Sequence, residues 1–170
     1  QTSDPLNQWA KALKKVSGKR NKTDADHEEM SRIEWFASLY LFDGRPCFPG
    51  DNVFRMLWDA AKKLKLGQQV RTGALVDDPA IIIYEGPEEI EKLWLDERFR
   101  LRSRAKVANS AVMRTRAKFE PWETTIHVSY DPTILDLDQI TQIGQVAGES
   151  IGLSDWRPKY GRFTIKEVTG

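Results

Sequence analysis

The sequence is poor in the side chains on which covalent and metal chemistry depends. Its 170 residues include one cysteine, Cys47, and two histidines, His27 and His127. A lone thiol excludes an intrachain disulfide, and a chain of this length buries roughly 70% of its unfolded surface without one. It also fits a reducing compartment, so a cytoplasmic setting is expected. With no Cys/His cluster, no metal or other cofactor is expected. No run approaches the ~18 apolar residues of a membrane span, and the first residues lack the pattern of a secretory leader. No membrane partner is therefore expected. Internal repeats and low-complexity tracts are absent as well.

Acid is missing altogether from one stretch. Residues 98–118 carry eight basic side chains and no carboxylate, which leaves 18 basic against 25 acidic residues elsewhere. The net charge of +1 thus hides a segment of +8 on a body of −7. Such segregation points to a polyanion or an acidic protein surface as partner. In 98–107 the even positions Arg98, Arg100, Arg102, Arg104 and Lys106 are basic, while Phe99, Leu101, Ala105 and Val107 alternate with them. A strand alternates faces with period two, so this pattern predicts a cationic row. A second strand, 111–119, repeats it with Arg114, Arg116 and Lys118. A three-residue connection at 108–110 would set 104 opposite 114, 102 opposite 116 and 100 opposite 118. Like charges directly opposite destabilise a hairpin, so that register implies an anionic ligand. A two-residue connection would put the rows on opposite faces and remove the argument. Arginine outnumbers lysine six to two in the segment. Its planar guanidinium grips phosphate and stacks on bases, which favours nucleic acid. The competing readings are docking on an acidic protein and pairing with the body's own acids.

Elsewhere the pattern predicts an amphipathic helix over 4–17, capped by Ser3 or Asp4, with Leu6, Trp9, Leu13 and Val16 on one face and Gly18 as the stop. Residues 18–31 read as a polar linker. A strand is expected over 33–42, then an Asp43–Gly44–Arg45–Pro46 turn and a helix over 51–66. A polar loop to Pro79 leads to a strand at 80–85 and a helical turn at 88–95. After the basic hairpin come a strand at 124–130 and a helix to about 151, opened by an Asp136/Gln139 capping box. The last strand is 162–168. With the hairpin set aside, the order is the βαββαβ split of a ferredoxin-like or RRM-like α+β fold. The expected domains are 1–31, a helical arm with its linker, and 32–170, the RRM-like domain with the hairpin inserted at about 86–119. The arm either packs on its own domain or docks on a neighbouring subunit. The other sheet face would carry Phe36, Tyr40, Phe42 and His127, able to stack unpaired bases if it is open and part of the core if the hairpin or the N-terminal helix covers it.

The turn Gly44-Arg45-Pro46-Cys47-Phe48-Pro49-Gly50-Asp51-Asn52 before a helix, and the loop 151–163 before the last strand, resemble the CRISPR-associated RAMP superfamily. The chain is also similar to small bacteriophage proteins with a Trp-Arg-Pro-Lys-Tyr-Gly-Arg-Phe ending. The resemblance covers roughly 33–168. Pro49, Gly50 and Asn52 match the first turn, with Asn52 where the family has serine. Gly152, Gly161 and Arg162 match the late loop. The resemblance implies RRM-like subunits that assemble side by side along a guide RNA, within a bacterial or phage-infected cell. In the late loop Arg157, Lys159 and Arg162 supply charge for a phosphate cradle, with Trp156 packed beneath it or stacked on a base.

Catalytic candidates each have a simpler reading. Asp43 lies where some RAMP subunits carry a nucleolytic aspartate, yet it also suits the turn before Gly44. The run Asp24, Asp26, His27, Glu28 and Glu29 suits a solvated helical turn better than a metal. Cys47 has no neighbouring histidine, and Asp77–Asp78 precede Pro79 as turn residues. The expectation is a non-enzymatic binder of single-stranded RNA or DNA, of phage or mobile-element type, forming an oligomer or filament along the strand. The alternative is a protein-interaction module, a phage inhibitor of host defence or a virion-assembly factor.

Overall fold

The computed structural model describes residues 4–107 and 110–169. In chain order its elements are α1 (Gln8–Ser17), α2 (Asp24–Ser38), β1 (Leu41–Phe42), β2 (Arg45–Phe48), α3 (Gly50–Lys63), α4 (Gly67–Gly73), β3 (Ala74–Leu75), β4 (Ala80–Ile81), α5 (Ile90–Leu95), β5 (Arg100–Val107), β6 (Ser110–Ala117), β7 (Ser129–Tyr130) and α6 (Leu137–Val146). A 3₁₀ turn at Glu97–Phe99 precedes β5, and a π-helical turn at Ala147–Ile151 extends α6. The class is α+β with small sheets. Two compact units share the chain: residues up to Pro46 with Ile82–Glu123, and Cys47–Ile81 with the chain from Thr124. Among the described residues, no helix is long and apolar enough to cross a membrane.

The first unit is organised by α2, which replaces residues 24–31 of the expected linker over 18–31 and most of the expected strand over 33–42. Thr23 and Asp26 form a reciprocal capping box: Thr23 Oγ1 accepts from the Asp26 amide, and the Asp26 carboxylate accepts from the Thr23 amide at 2.9 Å. This supplies two of the orphan donors of a helix start and commits the chain to helix at residue 24. The period-two pattern misleads because α2 is enclosed on more than one side. Ile33, Glu34, Trp35 and Ala37 are all buried, and a helix buried around much of its circumference satisfies both periods. The helix α1 packs on α2 within the chain, with Trp9 stacked on Phe36 at 5.8 Å between centroids. Its cap is Asn7, which accepts from the Trp9 amide at 2.9 Å, so α1 starts later than the expected residue 4. The core is aromatic. Trp35, Leu39, Leu93, Trp94 and Phe99 cluster, with Tyr84 and Phe119 against them. The Trp35 indole donates to the Phe99 carbonyl at 2.8 Å, which satisfies its one polar atom in the core. Of the expected Asp43–Gly44–Arg45–Pro46 turn, Asp43 and Gly44 turn the chain with positive φ, 49° and 72°, whereas Arg45 and Pro46 begin β2, with Phe42 opposite Arg45.

The second unit is built around α3, whose Val53, Met56, Leu57, Ala60 and Ala61 are buried. It packs against α4, α6 and the π-helical turn. The Asp136/Gln139 capping box opens α6 as its sequence predicts. The strands here are shorter than expected. Within 80–85 only Ala80–Ile81 form a strand, paired with Cys47 and Phe48 of β2. Within 124–130 only Ser129–Tyr130 pair, with Ala74–Leu75. The expected polar loop before Pro79 contains α4 and β3. Residues 162–168 form no strand; the Phe163 amide instead donates to the Gly148 carbonyl at 3.2 Å. The first expected strand of the βαββαβ order is thus mostly helix, and the last is not a strand.

Candidate nucleic-acid interface

The hairpin exists where the charge pattern placed it, in the two-residue register. Arg102 lies opposite Thr115, Arg104 opposite Met113, and Val107 opposite Ser110. The connection, 108–109, lies outside the described residues. Opposite residues share a face, so Arg100, Arg102, Arg104 and Lys106 lie with Ala117, Thr115, Met113 and Ala111. Arg114 and Arg116 fall on the other face. The like-charge pairs of the three-residue register do not form, so the hairpin pairing by itself does not call for an anion.

Helix α2 explains one of the two rows. It lies along β6 and caps the edge strand with side chains. The Glu34 carboxylate, only 4% exposed, takes the Arg114 guanidinium on one oxygen and the Thr115 amide at 2.9 Å on the other. One helical turn on, Ser38 Oγ accepts from the Ala117 amide at 2.8 Å. Ser31 and Thr115 share a hydroxyl hydrogen bond of 2.7 Å. The match is metric: four helical residues advance about 6 Å and two strand residues about 6.8 Å, so Glu34 and Ser38 meet alternate outward amides. An edge that would otherwise recruit another chain is thereby closed.

Several other cations are engaged too. Arg98 grips the Asp96 carboxylate through Nε and Nη2 at 3.0 and 2.7 Å. That contact holds the Asp96 carboxyl below its ordinary range. Arg100 lies over the Trp94 ring, 4.8 Å from its centroid, with Glu97 at 3.4 Å. Lys118 pairs with Glu120 at 2.7 Å. Arg116 donates to the Thr115 carbonyl at 3.1 Å. Arg102, Arg104 and Lys106 are exposed and enter no ion pair among the described residues. They form a continuous row on β5, with exposed Met113 on the same face.

Where the first turns of α2 meet β5 there is a recess of about 310 Å³, lined by Asp24, His27, Glu28, Trp94, Arg100 and Arg102. Ser31 of α2 lines it too. Sequence reasoning missed this site, because 18–31 read as linker. Yet 24, 27, 28 and 31 stand at i, i+3, i+4 and i+7, one face of a helix, and the Thr23/Asp26 box marks its start. Asp26 itself is turned into the cap and pairs with Lys19. Among the described residues no group of three or more His, Cys, Asp or Glu side chains gathers as a metal site.

The late loop belongs to the second unit and folds on itself. Gly161 has φ 75°, and a Cβ there would stand 1.8 Å from the Leu153 carbonyl oxygen. The glycine serves that close contact, in which the Leu153 amide donates to Gly161 at 2.8 Å. Arg157 reaches Asp59 at 3.1 Å, where Arg55 and Lys62 also bind. Burial pushes the Asp59 carboxyl up, but the hydrogen bonds from Lys62 and Arg55 outweigh it and hold the group low. Arg162 donates to the Pro158 carbonyl at 2.9 Å, and Trp156 packs beside Tyr160. Lys159 stays exposed, 5.3 Å from the Tyr160 ring. Arg157 and Arg162 therefore stabilise the loop. The open aromatic sheet face does not form: Phe36 is packed on α2 between Trp9 and Trp35, and His127 is an exposed residue of the second unit, 3.8 Å from Asp78. Tyr40 and Phe42 remain exposed. Cys47 is buried, which pushes its thiol up.

No family model, no curated protein and no solved structure matches the chain.

Proposed function

We propose that this protein binds single-stranded nucleic acid, without catalysis, through the Arg102–Arg104–Lys106 row of β5, several copies lying along one strand. One observation carries the reading: three cations follow one another on a strand face without an acid partner among the described residues, beside basic neighbours that are engaged within the protein. Alternate strand residues are about 6.8 Å apart, so the row can follow a flexible backbone phosphate by phosphate. Exposed Met113 gives unstacked bases an apolar contact on the same face. Side-by-side assembly accords with the role that the RAMP resemblance implies, and α1, packed in cis, is not needed for it.

Fluorescence anisotropy of the full chain with labelled RNA and DNA 20-mers tests this. Replacing Arg102, Arg104 and Lys106 together by alanine should weaken binding to every sequence by at least about 30-fold at low salt. Arg98→Ala, which removes an arginine already held by Asp96, should change it less than about threefold. Binding unaffected by the triple substitution overturns the reading. So does retention of polyglutamate with no oligonucleotide binding, which would move the row to an acidic protein partner.

A further inference from the structure

We infer that the recess between α2 and β5 receives one unstacked base of the bound strand and favours guanine, an inference that rests on the reading above. The lining has mixed sign: carboxylates Asp24 and Glu28 stand with guanidiniums Arg100 and Arg102. The carboxylates repel a free phosphate, and the guanidiniums repel a metal cation. A neutral, flat group with donor and acceptor edges suits both. At about 310 Å³ the recess stands at the low end of the ~300–1,000 Å³ range of small-molecule sites. That is room for one base rather than a length of strand.

The polar groups narrow the choice among bases. Guanine presents O6 and N7 as adjacent acceptors, the pair that a guanidinium engages bidentately. Its other edge carries N1–H and the N2 amino group side by side, two donors for one carboxylate. No other nucleobase offers both pairs. Asp24 and Glu28 are exposed and enter no ion pair among the described residues. A flat surface is present too. Arg100 lies over Trp94, and its buried Nε has no hydrogen-bond partner among the described residues, so the indole rather than an acceptor at Nε orients the guanidinium. Bases stack on such guanidinium planes. Arg102 joins the two sites, because it lines the recess and also begins the exposed row. A nucleotide whose phosphate rests on Arg102 and Arg104 has its base beside the recess.

The test compares an all-pyrimidine 20-mer with the same strand carrying one central guanosine or one central adenosine, by anisotropy on the full chain. The guanosine strand should bind about tenfold tighter than the other two. Asp24→Asn with Glu28→Gln should abolish that preference while leaving affinity for the pyrimidine strand equal or higher, since two negative charges are gone. Both residues are exposed, and an unchanged circular-dichroism melt confirms folding. Equal wild-type binding of all three strands overturns this inference and leaves the phosphate row standing. A preference that survives the double substitution, with all strands bound more tightly, overturns it as well, because the acids then act only as charges. No binding of any strand is the failure of the parent reading.

Discussion

At the scale of single residues, charge in this protein is governed by what each group can reach. Asp26 is the clearest case. Its carboxylate accepts from Lys19 and from the Thr23 amide and hydroxyl. The Lys19 hydrogen bond, followed by the Thr23 backbone bond, lowers its pKa from an ordinary 3.8 to about 2. A depressed acid contributes stability above its unfolded pKa and loses it as pH falls through the folded value. Asp26→Asn should therefore melt below the wild type at pH 5. That gap should narrow from about pH 4 to pH 2. Melting curves across this window measure it, and a gap as wide at pH 2 as at pH 5 would show that the carboxylate charge is not what holds the start of α2.

At the scale of elements, the junction of α2 with β6 decides how the hairpin is held. A buried carboxylate facing a strand amide and an arginine costs desolvation, and the bonds it makes offset that cost. Glu34→Ala leaves the Thr115 amide and Arg114 without their acceptor, an expected loss of about 3 kcal/mol. Ser38→Ala removes one neutral hydrogen bond and should cost about 1 kcal/mol. Urea unfolding of the full chain measures both. A Glu34→Ala loss no larger than that of Ser38→Ala would mean that the hairpin is held by Trp35, Phe99 and their neighbours alone. The junction also shows why 33–38 misleads as sequence. Its buried face includes Glu34, which a hydrophobic pattern counts as exposed, so the helical stripe is interrupted where it matters most.

At the scale of the whole molecule, internal pairing sets the size of the electrostatic footprint. Eight phosphate contacts would give a slope of log K against log salt near −6 on a single strand, whereas the three cations of the β5 row give about −2. Titration of oligonucleotide binding between about 50 and 200 mM salt separates the two. A slope near −6 would require Arg98, Arg100, Arg114, Arg116 and Lys118 to leave their internal contacts for phosphate. The late loop adds little to the expected value, since Arg157 and Arg162 are occupied by Asp59 and Pro158.

What the sequence determines by itself is local. The Asp136/Gln139 box, the Asp43–Gly44 turn, the apolar stripe of α3 and the alternation of 98–107 each depend on neighbours within a few residues, and each forms. The concentration of positive charge in one hairpin is equally a property of the sequence. The tertiary structure alone decides which cations remain for a ligand. Glu34 meets Arg114 across 80 residues, and no spacing rule encodes that pairing. It also decides the hairpin register, because the same alternation fits two loop lengths and only the packing of β6 against α2 selects between them. The recess follows from both: its helical face is present as spacing in the sequence, but Trp94 and Arg100 reach it only when the aromatic core closes.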